Sequence, residues 1–177
     1  MKAQNPTILI AEDDPNDQMF IERAFRQAGV QAPLHIVDGG FEAIAYMEGR
    51  GEYADRNKFP YPTFVMTDLK MPHGDGFTVL ENLKNRPEWA IIPVIVFSVS
   101  ADLDDIKKAY WLGASAFHTK PQEMGAMRTQ VKLLYEYWST AEVPQVDSTG
   151  KQLPTDSAGK LGERFDYLHE ERKQPQY

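Results

Sequence analysis

A chain of 177 residues, 42% of them hydrophobic, is long enough for one ordinary domain with a real core plus an appendage. A formal net charge of −7, with no run of Lys and Arg, gives no electrostatic reason to bind nucleic acid or an anionic membrane, and the lack of cysteine excludes disulfides, thiolate catalysis and Cys-based zinc sites. The N-terminus has no apolar signal core and no apolar stretch approaches the roughly 18 residues of a membrane span, so a cytoplasmic protein is expected.

Thr7-Ile8-Leu9-Ile10-Ala11 is an apolar, β-branched run that reads as a buried strand and stops at the carboxylates Glu12-Asp13-Asp14. Pro15 suits the first position of a helix, with Asp14 as N-cap and Asp17 adding favourable charge to the first turn. Ile21, Phe25 and Ala28 recur at i, i+4, i+7, and Gly29 sits where that helix should end. Leu34 to Val37 reads as a second strand, followed by Gly39-Gly40 and a helix whose inward face is predicted to carry Phe41, Ile44 and Met47. Residues 49–62, with two glycines, two prolines and many charges, read as a long loop, and loops of that length are often functional.

The run Phe64-Val65-Met66-Thr67-Asp68 is predicted as a third strand that ends in a carboxylate and enters the Pro/Gly-rich turn Pro72 to Gly76. A helix with Phe77, Leu80 and Leu83 follows, then a fourth strand from Ile92 to Phe97 that ends at Ser98. Asp102 caps a fourth predicted helix, with Leu103, Ile106 and Tyr110 inward and Gly113 closing it. Trp111 cannot share the inward direction of Tyr110 and is expected at the surface. Ala114 to Thr119 is a short fifth strand ending at Lys120-Pro121, and Met124, Met127, Val131, Leu134 and Trp138 form the apolar stripe of a last helix. Strand and helix alternate five times, which calls for a parallel sheet wound on both faces. The domain is predicted over residues 1–138. Residues 139–177 read as a flexible extension rich in Ser, Thr, Pro, Gly and Gln, with Leu161, Phe165 and Leu168 marking a short amphipathic helix within residues 161–172.

The strand ends bring polar groups to one rim of that sheet: Glu12 and Asp13 after the first, Asp68 after the third, Ser98 after the fourth, Lys120 after the fifth. Carboxylates gathered this closely repel unless a cation lies among them, and hard oxygen donors of this kind suit Mg²⁺. A carboxylate beside such a cation can attack phosphorus, while an ammonium and a hydroxyl neutralise the equatorial oxygens of the transition state. The chemistry points to phosphorylation of Asp68.

Glu12-Asp13, Asp68 followed by Lys70-Met71-Pro72 and Asp75-Gly76, Ser98, and Lys120-Pro121 together resemble the receiver domain of two-component response regulators, over about Thr7 to Trp138. The resemblance implies a flavodoxin-like (βα)5 α/β sandwich with a five-stranded parallel sheet of order 2-1-3-4-5. It implies that Asp68 accepts phosphate from a sensor histidine kinase, with Mg²⁺ held by Asp68, directly by Asp13, by Glu12 through water or in support, and by the backbone carbonyl of Lys70. It further implies that Ser98 hydrogen-bonds the phosphoryl group, that Lys120 pairs with it, that Phe117 is an aromatic switch, and that the Lys120–Pro121 bond is cis. Lys70 and Ser100, each two residues past a site residue, stand where side chains affect the lifetime of the acyl phosphate.

The loop around Gly51-Glu52-Tyr53 and the helix end Tyr137-Trp138 resemble the single-domain regulators paired with bacterial and cyanobacterial phytochrome kinases. Output by association is then expected, with the extension embracing a second protomer in a homodimer. Trp111, Phe117 and the last helix are the expected reporting face, and His35, His73, His118 and His169 are expected to be structural or exposed. The competing reading is a Mg²⁺-dependent phosphohydrolase with an aspartyl-phosphate intermediate. A flavodoxin-like nucleotide binder would need a Gly/Ser/Thr-rich cradle where this chain has three acids.

Overall fold

Odd and even positions of the strands face opposite sides of the sheet, and the sequence is apolar at both. In the computed structural model, which describes residues 6–142, this produces two cores. Leu9, Val65, Val94 and Val96 look to one side; Ile8, Ile10, Phe64, Met66, Ile95 and Phe97 look to the other. The strands are β1 (Ile8–Ala11), β2 (Leu34–Val37), β3 (Phe64–Thr67), β4 (Val94–Ser98) and β5 (Ala116–Thr119), all parallel in the order β2-β1-β3-β4-β5. The predicted flavodoxin-like sheet is therefore the one observed.

Helices α1 (Pro15–Gln27) and α6 (Met124–Thr140) close one face, burying Ile21, Ala24 and Phe25 against Met127, Val131 and Leu134. Helices α2 (Gly40–Glu48), α3 (Gly76–Lys84) and α5 (Leu103–Trp111) close the other. The predicted caps form. Asp14 accepts from Asn16 N and Asp17 N, Asp102 accepts from Asp104 N and Asp105 N, and Gly29 follows α1 with φ +77°. Among the described residues no helix is long and apolar enough to cross a membrane. The amphipathic segment predicted at residues 161–172 lies outside the described residues.

Several local expectations are corrected. Phe41 is 58% exposed rather than inward: it lies across the turn after β3, where a Cβ on Gly74 would meet its ring at 2.8 Å, and Ala43 and Tyr46 bury with Ile44 and Met47 instead. On α5, Leu103 and Tyr110 are exposed. The buried position is Ala109, flanked by half-buried Ile106 and Leu112, because a periodicity read from large apolar residues passes over a small one. Trp111 is at the surface, as expected. Strand β4 begins at Val94 rather than Ile92, and Pro87–Ala90 forms a one-turn helix, α4, that buries Trp89.

The long loop is built rather than slack. It contains a 3-10 turn at Gly51–Ala54 that buries Tyr53 against Tyr46 and Phe59. Arg56 fastens it by donating to the carbonyls of Tyr46 (2.8 Å), Met47 (2.6 Å) and Phe59 (3.2 Å), which satisfies carbonyls at the C-terminal end of α2. The Lys120–Pro121 bond is trans, against the cis expectation, and no cis bond occurs among the described residues. An X–Pro linkage has only a small intrinsic preference between isomers, so the surroundings decide. Here Lys120 N donates to Ser98 O at 2.9 Å, continuing the β4–β5 ladder up to the proline.

Candidate functional site

Strand order reverses between β1 and β3, since the chain goes from β1 outward to β2 and then back across to β3. In an open parallel sheet the crevice at such a point, beyond the carboxyl ends of the strands, is where ligands bind. Ala11 and Thr67 are register partners at that end, and Asp68 N donates to Ala11 O at 3.0 Å. The next residues, Glu12 and Asp68, therefore leave the sheet side by side, and both are buried.

Lys120 comes from the far edge, across the end of β4. Its Nζ is 2.5 Å from Glu12 Oε2, 2.7 Å from Asp68 Oδ2 and 2.8 Å from Asp17 Oδ2. Its side chain is 3% exposed. Burial works against the ammonium charge, but hydrogen bonds to Asp17, Asp68 and Glu12 outweigh it and hold Lys120 above its ordinary range. Burial pushes the Glu12 carboxyl up to about 7. Its hydrogen bond and charge interaction with Lys120 pull it down, and the neighbouring Asp68 charge adds to the rise.

One ammonium among three carboxylates leaves the pocket short of positive charge. Glu12, Asp17 and Asp68 each offer an oxygen within 4.8 Å of one another. All three donors are hard oxygens, which fits Mg²⁺ or a similar divalent cation.

Of the residues singled out in the sequence, Glu12, Asp68 and Lys120 meet directly. Asp13 is half-buried beside Glu12 but outside the group around Lys120. Ser98 is fully buried at the end of β4, and its Oγ accepts from Ser100 N at 3.4 Å. Phe117 is half-buried on β5, with its N–H donating to the Tyr110 hydroxyl at 3.2 Å. The Lys70 side chain is 70% exposed. His35 packs at tilted angles against Tyr46 and Phe59, and His118 Nδ1 lies 2.9 Å from Gln130 Nε2, so neither joins the site.

Asp17 joins the site although its sequence context points only to a helix end. Its place in the first turn of α1 marked it as a helix-end acid, and only its position three residues after Asp14 hinted that α1 would aim it back over the rim.

The loop after β3 is held from both sides. Asp68 Oδ1 accepts from Leu69 N at 2.5 Å and Lys70 N at 3.4 Å, and Asp75 caps α3 through Thr78 N and Thr78 Oγ1, each at 2.7 Å. The turn also receives Gly40 N at Gly74 O and Phe41 N at His73 O, each 2.9 Å, from the start of α2. Gly76 closes this loop under Asp68: a Cβ there would stand 2.2 Å from Asp68 O. Gly76→Ala is therefore expected to force the Asp68 backbone outward and to cost about 1–3 kcal/mol of stability in a urea unfolding titration. A midpoint equal to wild type would show that the loop yields freely.

A family profile for the response regulator receiver domain matches residues 8–132. The crystal structure of a response regulator in red light signaling of R. palustris superposes with a TM-score of 0.76 at 33% identity, covering 80% of this chain and 99% of that one. The phosphorylated cyanobacterial phytochrome response regulator RcpA gives a TM-score of 0.73 at 34% identity with the same coverages. Response regulator Rcp1 of Synechocystis sp. is 28% identical over 131 residues, 74% of this chain and 87% of its own length. A crystal structure of Rcp1 in its Mn²⁺-bound form gives a TM-score of 0.70, covering 79% of this chain and 99% of that one.

Proposed function

The chain belongs to the response regulator receiver family, and from that premise we propose that it is a phosphorylation switch in which Asp68 accepts a phosphoryl group from a sensor histidine kinase. The observation that carries this reading is the buried contact of Lys120 with both Asp68 and Glu12 at the switch point of the sheet. In the transfer an Asp68 carboxylate oxygen bonds to phosphorus as the phosphorus–nitrogen bond to the kinase histidine breaks, and the histidine nitrogen keeps the electron pair.

Backbone donors from Leu69 and Lys70 hold Oδ1 and leave Oδ2 against Lys120, the oxygen proposed to attack phosphorus. Lys120 and the Ser98 hydroxyl bind phosphoryl oxygens as charge develops there. Glu12, Asp13, Asp68 and the Lys70 carbonyl are the proposed holders of Mg²⁺, with Asp17 completing the acidic rim. When bound, the ion supplies charge neutralisation between the attacking carboxylate and the phosphoryl oxygens.

Drawing Ser98 and Lys120 toward a phosphoryl group shifts β4 and β5 ends, and Phe117 repacks with them as the switch. We propose that output is protein association by a receiver over residues 1–138, with the extension 139–177 contributing to a homodimer in the cytoplasm. The proposed kinase partner is of the phytochrome class, supported by similarity to RcpA and to the R. palustris red-light regulator. Its only expected turnover is its own phosphorylation and dephosphorylation.

The test is labelling with acetyl [³²P]phosphate and Mg²⁺, read together with oligomer mass before and after and with residues 139–177 removed. One label per chain is expected, with a mass that depends on the extension. Multiple turnover on phosphate esters without a stable labelled chain would instead favour the phosphohydrolase, and an unaltered mass on truncation would remove the extension from the dimer.

A further inference from the structure

The cluster around Lys120 leaves two polar side chains beside the phosphoacceptor loop unused, and both turn to one carboxylate. Ser100 Oγ donates to Asp105 Oδ2 at 2.7 Å, and Lys70 Nζ stands 3.8 Å from the same oxygen. Asp105 lies in the first turn of α5, where its backbone N–H bonds to the capping Asp102 at 3.4 Å. Ser100 in turn sends its N–H to Ser98 Oγ and receives Asp102 N at its own hydroxyl, each at 3.4 Å. The Asp105 carboxylate thus joins the loop after β3 to the loop after β4 and to α5.

We propose that Asp105 is a positioning residue that holds the Lys70 ammonium aside from Asp68 and so sets how long a phosphoryl group stays there. The proposal rests on the reading of Asp68 as phosphoacceptor. In hydrolysis a water oxygen bonds to phosphorus and the bond from phosphorus to the Asp68 oxygen breaks. The carboxylate keeps that electron pair, and the water protons leave with inorganic phosphate. The attacking water must approach opposite the breaking bond, on the open side of the site.

Lys70 follows Asp68 by two residues, and its side chain is mostly in solvent. Held by Asp105, its ammonium is off the phosphoryl group and water has access. Released, it is drawn to the phosphoryl oxygens, where it covers the approach and holds charge on the acyl phosphate. The Lys70–Asp105 contact is long and exposed, so it is a weak hold, suited to competition with a dianion rather than to permanent structure. Because Asp105 belongs to α5, anything that moves the first turn of α5 also changes the phosphoryl lifetime.

The test uses the full chain as wild type, Asp105→Asn, Lys70→Ala and the double variant, loaded with acetyl [³²P]phosphate and Mg²⁺, freed of donor and followed for loss of label. Asp105→Asn is expected to slow the decay by about two- to fivefold, the size of effect an exposed ion pair can transmit. In the Lys70→Ala background the same substitution is expected to do nothing, and Asp105→Glu is expected to decay like wild type. A purely structural role for Asp105 would act equally with or without Lys70, so equal effects in the two backgrounds overturn the proposal, as does an unchanged decay in Asp105→Asn. Wild type that takes no label at all overturns the phosphoacceptor reading along with it.

Discussion

Asp68→Asn is expected to lower the initial rate of phosphoryl transfer from a phosphorylated histidine kinase or from acetyl phosphate by at least about 100-fold, because an amide is not a competent nucleophile for the covalent step. The same variant is expected to melt no lower than wild type. Lys120 keeps Glu12 at 2.5 Å and Asp17 at 2.8 Å, and one of three crowded carboxylates has been neutralised without change of shape. The two readings together separate loss of chemistry from loss of fold. Label that reaches Asp68→Asn at the wild-type rate would move the acceptor elsewhere.

Lys120→Met keeps the apolar stem and removes the charge. It leaves Glu12 and Asp68, 2% and 9% exposed at their side chains, facing one another without a cation. Removing one partner from a buried ionic group costs about 3–5 kcal/mol, so a fall in Tm of roughly 6–20 °C is expected at pH 8.

The pH dependence follows from the directions of the shifts. Lys120 is raised above its unfolded value, so its contribution is complete at neutral pH and is lost only as pH rises through its folded value. Glu12 is raised from 4.5 to about 7. Between those values the folded chain holds a proton that the unfolded chain has released, and the Glu12 contribution falls as pH rises through that window. Without Lys120 the repulsion of Glu12 and Asp68 is relieved by protonation, so the deficit of Lys120→Met relative to wild type is expected to shrink from pH 8 to pH 5.5. Saturating Mg²⁺ at pH 8 should recover part of it, since a ligand that binds only the folded state stabilises by mass action. Melting curves at the two pH values, with and without the ion, check both statements. A deficit that does not vary with pH would show that the carboxylates are not the source of the cost.

That these polar residues share one rim could be read from the chain, because each stands at the end of a strand whose type and direction were evident. Five short apolar runs separated by helical periodicities dictate a parallel sheet, and the ends of its strands share one rim. The placement of Glu12, Asp68 and Lys120 at strand ends on that rim follows from this order; Ser98 stands at the end of β4 but pairs with Ser100 N rather than with the other three. The helix starts at Pro15 and Leu103 were equally local, set by an aspartate cap and first-turn charge.

Periodicity, by contrast, reports how far a large side chain lies from its neighbours on one element and nothing about the element opposite. It therefore turned Phe41, Leu103 and Tyr110 inward, whereas Gly74 makes room for Phe41 outside the core and Ala109 forms the buried position of α5. The composition of residues 49–62 marked a long loop; what it could not show is that the carbonyls at the end of α2 need donors and that Arg56 supplies them.

What the sequence determined by itself is which charged groups stand at the strand ends: the carboxylates Glu12 and Asp68 and the ammonium of Lys120. Tertiary structure alone decided which side chains share an atom. Lys120 meets Glu12 and Asp17 across separations of 108 and 103 residues, and Lys70 and Ser100 converge on Asp105 from two different loops. Contacts between elements distant along the chain depend on the packing distance and rotation of whole helices, which no local spacing encodes.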